Sequence, residues 1–295
     1  HFRRRALKQS RELIEPDQAK YHQVWENLTA DAQEQDHLAT LRSIVQKLQS
    51  VTAIGEVRQC TPLVEQEGSI LDGAHADVHL IQRANSVSSL LKGPRDSPNP
   101  HITSLDQLYV QARMCERILR QKVVTWALQS NGLFPLAKDV DLESGGFVPA
   151  TKSMGMMSDQ MSYQVKWGGI KKPLRAVEKA CRSYNGDCSR LLDLCRQNCC
   201  FKTVRDLCSC LEAIRDDVEV RVLRLKNRMD LDYNGASSAG YRDVAMNVKI
   251  NTETTRKLGV QDHICEVQLI LVCFAELKND QGHRRYVKFR DERGE

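Results

Sequence analysis

The stretches DVAMNVKI at residues 243–250 and HICEVQLILV at residues 263–272 decide the fold class of this chain. In each, hydrophobic side chains occupy alternate positions, which is the period of a β-strand with one buried face. In the second stretch this alternation places Glu266 and Gln268 together on the opposite, polar face. The two stretches therefore predict two strands of a sheet that is covered on one side.

The residues around these strands predict further elements of both types, from capping residues, hydrophobic stripes and alternation. Helices are expected at Pro173–Ser183, at Thr203–Ile214 and through Ala275 and Leu277, and strands at Leu191–Phe201 and around Val218, Val220 and Val222. A helix and strand mixture without a fixed repeat period predicts an α+β unit.

The first half of the chain carries helical periodicity. Asp36 is predicted to cap a helix, a second helix is expected from His75 to Leu91, and a third from Ser104 to about Leu128, with Ser104 and Gln107 as a capping box. The stripe of the first helix consists of Leu38, Leu41, Ile44, Val45, Leu48 and Val51. Such stripes either line a core or bind a partner. The predicted organisation is a helical region at 1–130, a linker or loop at 131–160 and an α+β domain at 161–295.

Composition excludes some classes of protein and favours others. No run of 18 uncharged hydrophobic residues occurs, which argues against a membrane-spanning helix. Residues 1–150 hold 17 Lys and Arg against 18 Asp and Glu, whereas residues 151–295 hold 26 against 20. The basic excess of the second half suits phosphate-bearing partners, although ordinary solubility charge would look the same. Aromatic residues make up only 5% of the chain, which counts against a base-stacking nucleic-acid platform.

Seven of the eleven cysteines lie between Cys181 and Cys210, and none of them forms a C-x-x-C pair. The spacing of a zinc ribbon is therefore missing. Cys208 and Cys265 fall on hydrophobic faces of their predicted helix and strand. We interpret the cysteines as reduced, buried thiols, which predicts a reducing compartment, either the cytosol or an organelle interior.

Polar residues that could carry chemistry accompany the predicted strands. Asp193 stands among leucines, where a carboxylate is costly unless it is paired or bound to metal. Arg224 and Lys226 project from one strand face, as Glu266 and Gln268 do from another. If these strands are neighbours, acids that hold Mg²⁺ and bases that hold phosphate would converge on one surface. The alternative is that Asp193 and Glu266 simply pair with those cations.

Residues 165–278 resemble the synthetase domain of RelA/SpoT proteins, which make the alarmone (p)ppGpp. Four segments carry the resemblance, in the order of the family. The phosphate-binding loop of the family is resembled by GGIKKPLRAVEKA, and its magnesium segment by LLDLCRQNCCFKTVRDL. The family motif R-x-K-D followed by G-Y-x-S-x-H is resembled by LRLKNRMDLDYNGASSAGYRDVAMNVKI. The last motif, E-[VI]-Q-I-R, is resembled by CEVQLIL.

The resemblance implies a mixed sheet related to nucleotidyltransferases, with ATP as pyrophosphate donor, GDP or GTP as acceptor, and Mg²⁺. It further implies a role for each matched residue, as catalytic metal ligand, phosphate-binding cation, guanine-stacking tyrosine or ribose-positioning amide. These are Asp193 and Glu266 for metal, Lys171, Lys179, Arg224 and Lys226 for phosphates, Tyr241 for the guanine and Gln268 for the ribose.

Four family positions differ in this chain. The loop arginine and serine are replaced by Gly169 and Arg175, the histidine by Ala245 and the last arginine by Ile270. Losing cations weakens the stabilisation of a transferring phosphoryl group, although Lys172, Arg175 and Arg196 could partly substitute.

Two main hypotheses follow. The first is a degenerate RelA/SpoT-like fold that acts as a nucleotide-binding or scaffold subunit, with protein partners at its N-terminal helices. The second is an active, Mg²⁺-dependent pyrophosphotransferase that makes (p)ppGpp or a related nucleotide. RNA or another ligand at the same basic surface is a third alternative.

Overall fold

The computed structural model describes residues 2–52, 55–61, 101–137, 146–151, 164–278 and 285, and within this range the side chains of residues 2–8 and 10 are not described. The helices are α1 (Phe2–Ala30), α2 (Ala32–Val51), α3 (Leu105–Gln129), α4 (Pro173–Tyr184), α5 (Val204–Arg215), α6 (Glu253–Lys257) and α7 (Val272–Leu277). The strands are β1 (Leu133–Pro135), β2 (Phe147–Pro149), β3 (Arg196–Phe201), β4 (Val220–Asn227), β5 (Val244–Ile250) and β6 (Ile264–Leu271).

The six strands form one mixed sheet in the order β2-β1-β3-β6-β5-β4. Strands β3 and β6 are parallel, and the other neighbouring pairs are antiparallel. The α+β prediction, with a helical N-terminal half followed by a mixed sheet and flanking helices, is confirmed. The predicted division at 1–130, 131–160 and 161–295 stays a prediction.

The hydrophobic alternation of β5 and β6 is buried as predicted. Val244, Met246, Val248 and Ile250 are at most 2% exposed, and Cys265, Val267, Leu269 and Leu271 are at most 1% exposed. Helices α2, α3 and α5 pack against this side of the sheet and share one hydrophobic core with it. The stripes of α2 and α3 therefore line the core and are not free for a partner, except for Val51 at the end of α2, which is 76% exposed. None of the described helices is long and hydrophobic enough to span a membrane.

Of the three predicted helix caps, Asp36 and the capping box of Ser104 and Gln107 are wrong, because α2 is capped by Asp31 and Ser104 makes no side-chain cap hydrogen bond. Helix α2 begins after Asp31, whose side chain accepts hydrogen bonds from the backbone N–H groups of Gln33 and Glu34. Asp36 lies inside the helix, because the earlier aspartate already satisfies the free N–H groups. Thr203 caps α5 as predicted, by accepting from the N–H of Asp206 at 3.1 Å. The helix predicted from His75 to Leu91 lies outside the described residues.

Two short strands lie in the stretch 131–160, which the sequence predicted as a linker or loop. Strand β1 pairs with β2, and Leu133 of β1 pairs with Cys200 of β3. Each strand has three residues, which is too short for an alternating pattern to show in the sequence.

Strand β4 contains an irregularity that determines which way its cations face. Val222 pairs with Val248, but Arg224 pairs with Asn247, so Leu223 is an extra residue in the ladder. An extra residue reverses the alternation beyond it. The alternation predicted from Val218, Val220 and Val222 therefore does not continue through the strand, and Val218 is 99% exposed before it begins.

All eleven cysteines are described and free of disulfides, and eight of them are buried. Cys181 is exposed, and Cys60 and Cys273 are half-buried. Burial raises the pKa of the Cys200, Cys208 and Cys210 thiols to about 12. The prediction of buried thiols is thus confirmed for most of them, and the reducing compartment stays a prediction.

Two predicted helix caps differ in a way that can be measured. Thr203 makes a side-chain cap hydrogen bond, whereas Ser104 makes none to the start of α3. We expect Thr203→Ala to lower the free energy of unfolding by about 1 kcal/mol and Ser104→Ala to leave it nearly unchanged. Urea unfolding monitored by circular dichroism measures both. An equal loss in the two variants would contradict the assignment of the caps.

Candidate functional site

The side of the sheet opposite α2, α3 and α5 carries two adjacent rows of residues, all polar except Ala245. The strand register pairs Arg196 with Glu266, Glu266 with Asn247, and Asn247 with Arg224. The next row runs through Asn198, Gln268, Ala245 and Lys226. We call these eight residues the polar face. The strand register therefore brings together on one surface the four residues that the sequence predicted to converge, which are Glu266, Gln268, Arg224 and Lys226.

Asp193 lies just before β3 and is the centre of a buried ion-pair cluster. Its Oδ2 lies 2.7 Å from Nζ of Lys171 and 2.9 Å from Nζ of Lys179. Burial alone would raise the pKa of Asp193, but the ammonium groups of Lys179 and Lys171 outweigh it and lower the pKa to about 2. The predicted metal ligand is thus paired with two of the three predicted phosphate-binding lysines.

The backbone of the predicted phosphate-binding loop is held from two sides. The N–H of Lys171 donates to the carbonyl of Leu194 at 2.9 Å, and the hydroxyl of Tyr109, on α3, donates to the carbonyl of Lys171 at 2.8 Å. Gly169 has a φ of +58°, a conformation that favours glycine over residues with a side chain. Glycine at position 169 therefore suits the backbone of this loop.

Glu266 is in a different state from Asp193. It is half-buried, accepts one hydrogen bond from Gln268 at 3.2 Å, and has no ion pair within 4.0 Å among the described residues. Burial, and after it the charge of Asp193, raise the pKa of Glu266 to about 7, while Lys179 and Arg196 oppose the rise. At neutral pH a substantial fraction of the molecules therefore carries a proton on Glu266.

Arg224 and Lys226 remain available on the exposed edge of the polar face. Within the described part of the chain neither forms an ion pair, so the alternative in which they pair with Asp193 and Glu266 does not hold. The Lys226 ammonium lies 5.8 Å from the ring centroid of Tyr233. Arg224 borders a cavity of about 360 Å³, next to Tyr184 and Arg190, whose guanidinium lies 4.7 Å from the Tyr184 ring.

Tyr241 precedes β5 and is covered by α1. Its ring meets that of Tyr21 edge-on at 6.1 Å, and the ammonium of Lys278 lies 5.1 Å from its centroid. A Cβ on Gly240 would come within 2.7 Å of the Tyr21 Cβ, so α1 runs directly over this turn. The structure therefore surrounds the predicted base-stacking tyrosine with protein groups.

Several residues of this region were not singled out from the sequence. Lys278 follows α7 and interacts electrostatically with Asp243, Arg196 and Glu266. Asn247 donates to the carbonyl of Leu192 at 3.1 Å from the middle of the polar face. The place of Asn247 beside Glu266 depends on the register of β5 with β6. No local sequence pattern indicates that Lys278 lies near this region. Of the possible substitute cations, Arg175 pairs with Glu178 in its own helix, Lys172 is exposed, and Arg196 lies on the polar face.

Comparison with known proteins adds little to this geometry. No protein-family model matches the sequence, and no curated protein matches it. A solved structure with some likeness is the complex between the Type VI effector Tas1 and its immunity protein, at 15% identity and a TM-score of 0.34. The likeness covers 63% of this chain and 74% of that one. A likeness of this strength supports no conclusion about this chain.

The raised pKa of Glu266 predicts a pH-dependent stability. Between about pH 4.5 and 7 the folded protein holds this proton more tightly than the unfolded chain, so the free energy of unfolding falls as the pH rises. Glu266→Gln removes that loss. We expect the variant to match the wild type near pH 4.5 and to be more stable at pH 8 by roughly 3 kcal/mol, at about 1.4 kcal/mol per pKa unit.

Urea unfolding at the two pH values measures this difference, with the exposed Glu276→Gln as the matched control. The same pH dependence in wild type and Glu266→Gln would show that Glu266 has an ordinary pKa.

Proposed function

We propose that this chain binds a nucleotide polyphosphate on the polar face and acts as a binding or scaffold subunit built on a RelA/SpoT-like synthetase fold. The observation that carries the proposal is a group of cations on or beside that face with no carboxylate within ion-pair distance among the described residues. These cations are Arg196, Arg224, Lys226 and Lys278. Cations held together without acidic partners favour a ligand that brings several negative charges.

The cavity beside Arg224 supports a nucleotide over a simple anion. It offers about 360 Å³ next to the Tyr184 ring and the Arg190 guanidinium. Arg190 is held in place by Glu56, whose Oε1 lies 2.8 Å from its Nε. A cavity of this size with an aromatic ring and planar guanidinium groups suits a nucleoside base. In this proposal the base enters the cavity and the phosphates lie along the polar face.

The geometry around Asp193 favours binding over catalysis. Two lysines that would neutralise phosphates already neutralise this carboxylate. Tyr241 is covered by Tyr21 and Lys278, which leaves its ring less open to a base. Together with the replaced family positions, these contacts support the degenerate form of the fold. The scaffold part of the proposal is assigned to α1, where Ile14 is the one buried side chain among those described.

Pyrophosphate transfer is the second candidate, and a separate observation favours it. Oδ1 of Asp193 is buried and has no hydrogen-bond partner among the described residues. The N–H of Glu266 donates to the carbonyl of Cys195 at 2.9 Å, so the two carboxyls are carried by neighbouring segments, and the charge of Asp193 raises the pKa of Glu266. A hard divalent cation prefers carboxylate oxygens, so the pair fits Mg²⁺ completed by substrate phosphates and water. Asp193 and Glu266 would hold it, and it would neutralise charge on the transferring group.

Nucleotide binding tests the first candidate. We expect ATP and GDP to bind without Mg²⁺, and we expect Arg224→Met and Lys226→Met each to weaken binding about tenfold, because each removes a charge-assisted contact. Isothermal titration calorimetry measures the affinities, and Lys47→Met removes an exposed lysine elsewhere as the control. No heat with millimolar nucleotide, or equal affinity in all variants, would contradict the proposal.

Transfer of labelled pyrophosphate from ATP to GDP tests the second candidate. If the chain is a binding protein, we expect no Mg²⁺-dependent product from the wild type under conditions in which nucleotide binds. Product that forms with the wild type and disappears in Asp193→Asn would overturn the degenerate form of the proposal and establish the transferase.

A further inference from the structure

A series of stacked side chains connects the N-terminal helix to the polar face. The guanidinium of Arg242 lies 3.6 Å from the ring centroid of Trp25 on α1 and 5.7 Å from the ring centroid of Tyr233. The Tyr233 ring in turn lies 5.8 Å from the ammonium of Lys226. All three distances are within the range of a cation–π interaction. Trp25 and Lys226 are therefore connected through two intervening side chains.

Arg242 is buried and holds the segment that follows β4. It is 6% exposed, and among the described residues no carboxylate forms an ion pair with it. Its guanidinium instead donates hydrogen bonds to the carbonyls of Arg228 at 2.9 Å, Asp230 at 3.0 Å and Tyr233 at 3.3 Å. Burying a charge is costly unless other polar groups replace water around it. These carbonyls do so, and in exchange Arg242 fixes the backbone between β4 and Tyr233.

Helix α2 holds the same segment through a second contact. The Nε of Arg42 donates to Oδ2 of Asp230 at 3.0 Å, and its Nη2 donates to Oδ2 of Asp232 at 2.8 Å. Charge-assisted contacts of one guanidinium with two carboxylates fix geometry better than a single contact does. The segment from Arg228 to Tyr233 is therefore attached to both N-terminal helices.

We propose that Arg242 is a positioning residue for Lys226 and acts through the ring of Tyr233. Its contact with Trp25 makes phosphate binding on the polar face depend on the position of α1. A lysine side chain is flexible, and one that already rests on a ring loses less freedom when it binds a phosphate. The inference rests on the proposed binding function and adds a regulation of the same site by the N-terminal helix.

Calorimetry with ATP in the absence of Mg²⁺ tests the coupling on the full chain. We expect Tyr233→Leu and Trp25→Leu each to weaken ATP binding about threefold, because each removes one partly exposed cation–π contact. Tyr233→Phe keeps the ring and should restore the affinity of the wild type. Leu231→Ala is the matched control, because Leu231 lies in the same segment and is 50% exposed.

The same substitutions in a Lys226→Met background separate positioning from a general structural effect. If the coupling acts through Lys226, neither Tyr233→Leu nor Trp25→Leu weakens ATP binding further in that background. Arg242→Lys keeps the charge but loses the planar fork, so it should behave in the same way. If circular dichroism shows that Arg242→Lys does not fold, the Tyr233 and Trp25 variants decide.

The outcomes separate this inference from the proposed function. An equal loss in both backgrounds, or no loss when Lys226 is present, overturns the coupling while the proposed function stands. A loss with Tyr233→Leu and none with Trp25→Leu overturns the dependence on α1. Absence of ATP binding in the wild type overturns the proposed function and the inference together.

Discussion

Burial of one side of the sheet against α2, α3 and α5 determines which way the residues of the polar face point. The hydrophobic residues of β5 and β6 must face the helices, because exposing them would cost roughly 1.5–3 kcal/mol for each large side chain. Their alternating neighbours are then forced to the other side. Glu266, Gln268 and Asn247 form rows for this reason, and any change of register by one residue would move them into the core.

The sequence predicted the fold where local patterns are long, and it failed where the cause is an irregularity. Four alternating hydrophobic residues in each of β5 and β6 are sufficient to predict both strands and the side of Glu266. A regular alternation from Val220 and Val222 would instead place Arg224 and Lys226 toward the helices. The extra residue at Leu223 reverses this, and its presence depends on how β4 pairs with β5.

The candidate site was predictable in its residue types but not in its pairings. Asp193 among leucines had to be paired or metal-bound, and the structure pairs it with Lys171 and Lys179. Neither the cover of α1 over Tyr241 nor the approach of Lys278 has a local signal. Tyr21 is 220 positions from Tyr241, and such contacts arise from the packing of the whole chain.

Asp193 and Glu266 show how this surface accommodates two nearby carboxyls in different protonation states. Asp193 is buried and Glu266 half-buried on a neighbouring segment, and two unpaired negative charges so close would repel strongly. Two lysines keep Asp193 ionised, whereas Glu266 is left with a raised pKa and can lose its charge to a proton. A proton on Glu266 makes the region more positive and favours phosphate, whereas a divalent cation requires the ionised form. Anion binding and metal binding therefore depend on the same carboxyl and respond to pH in opposite directions. The protonated form of Glu266 supports the binding function that we propose.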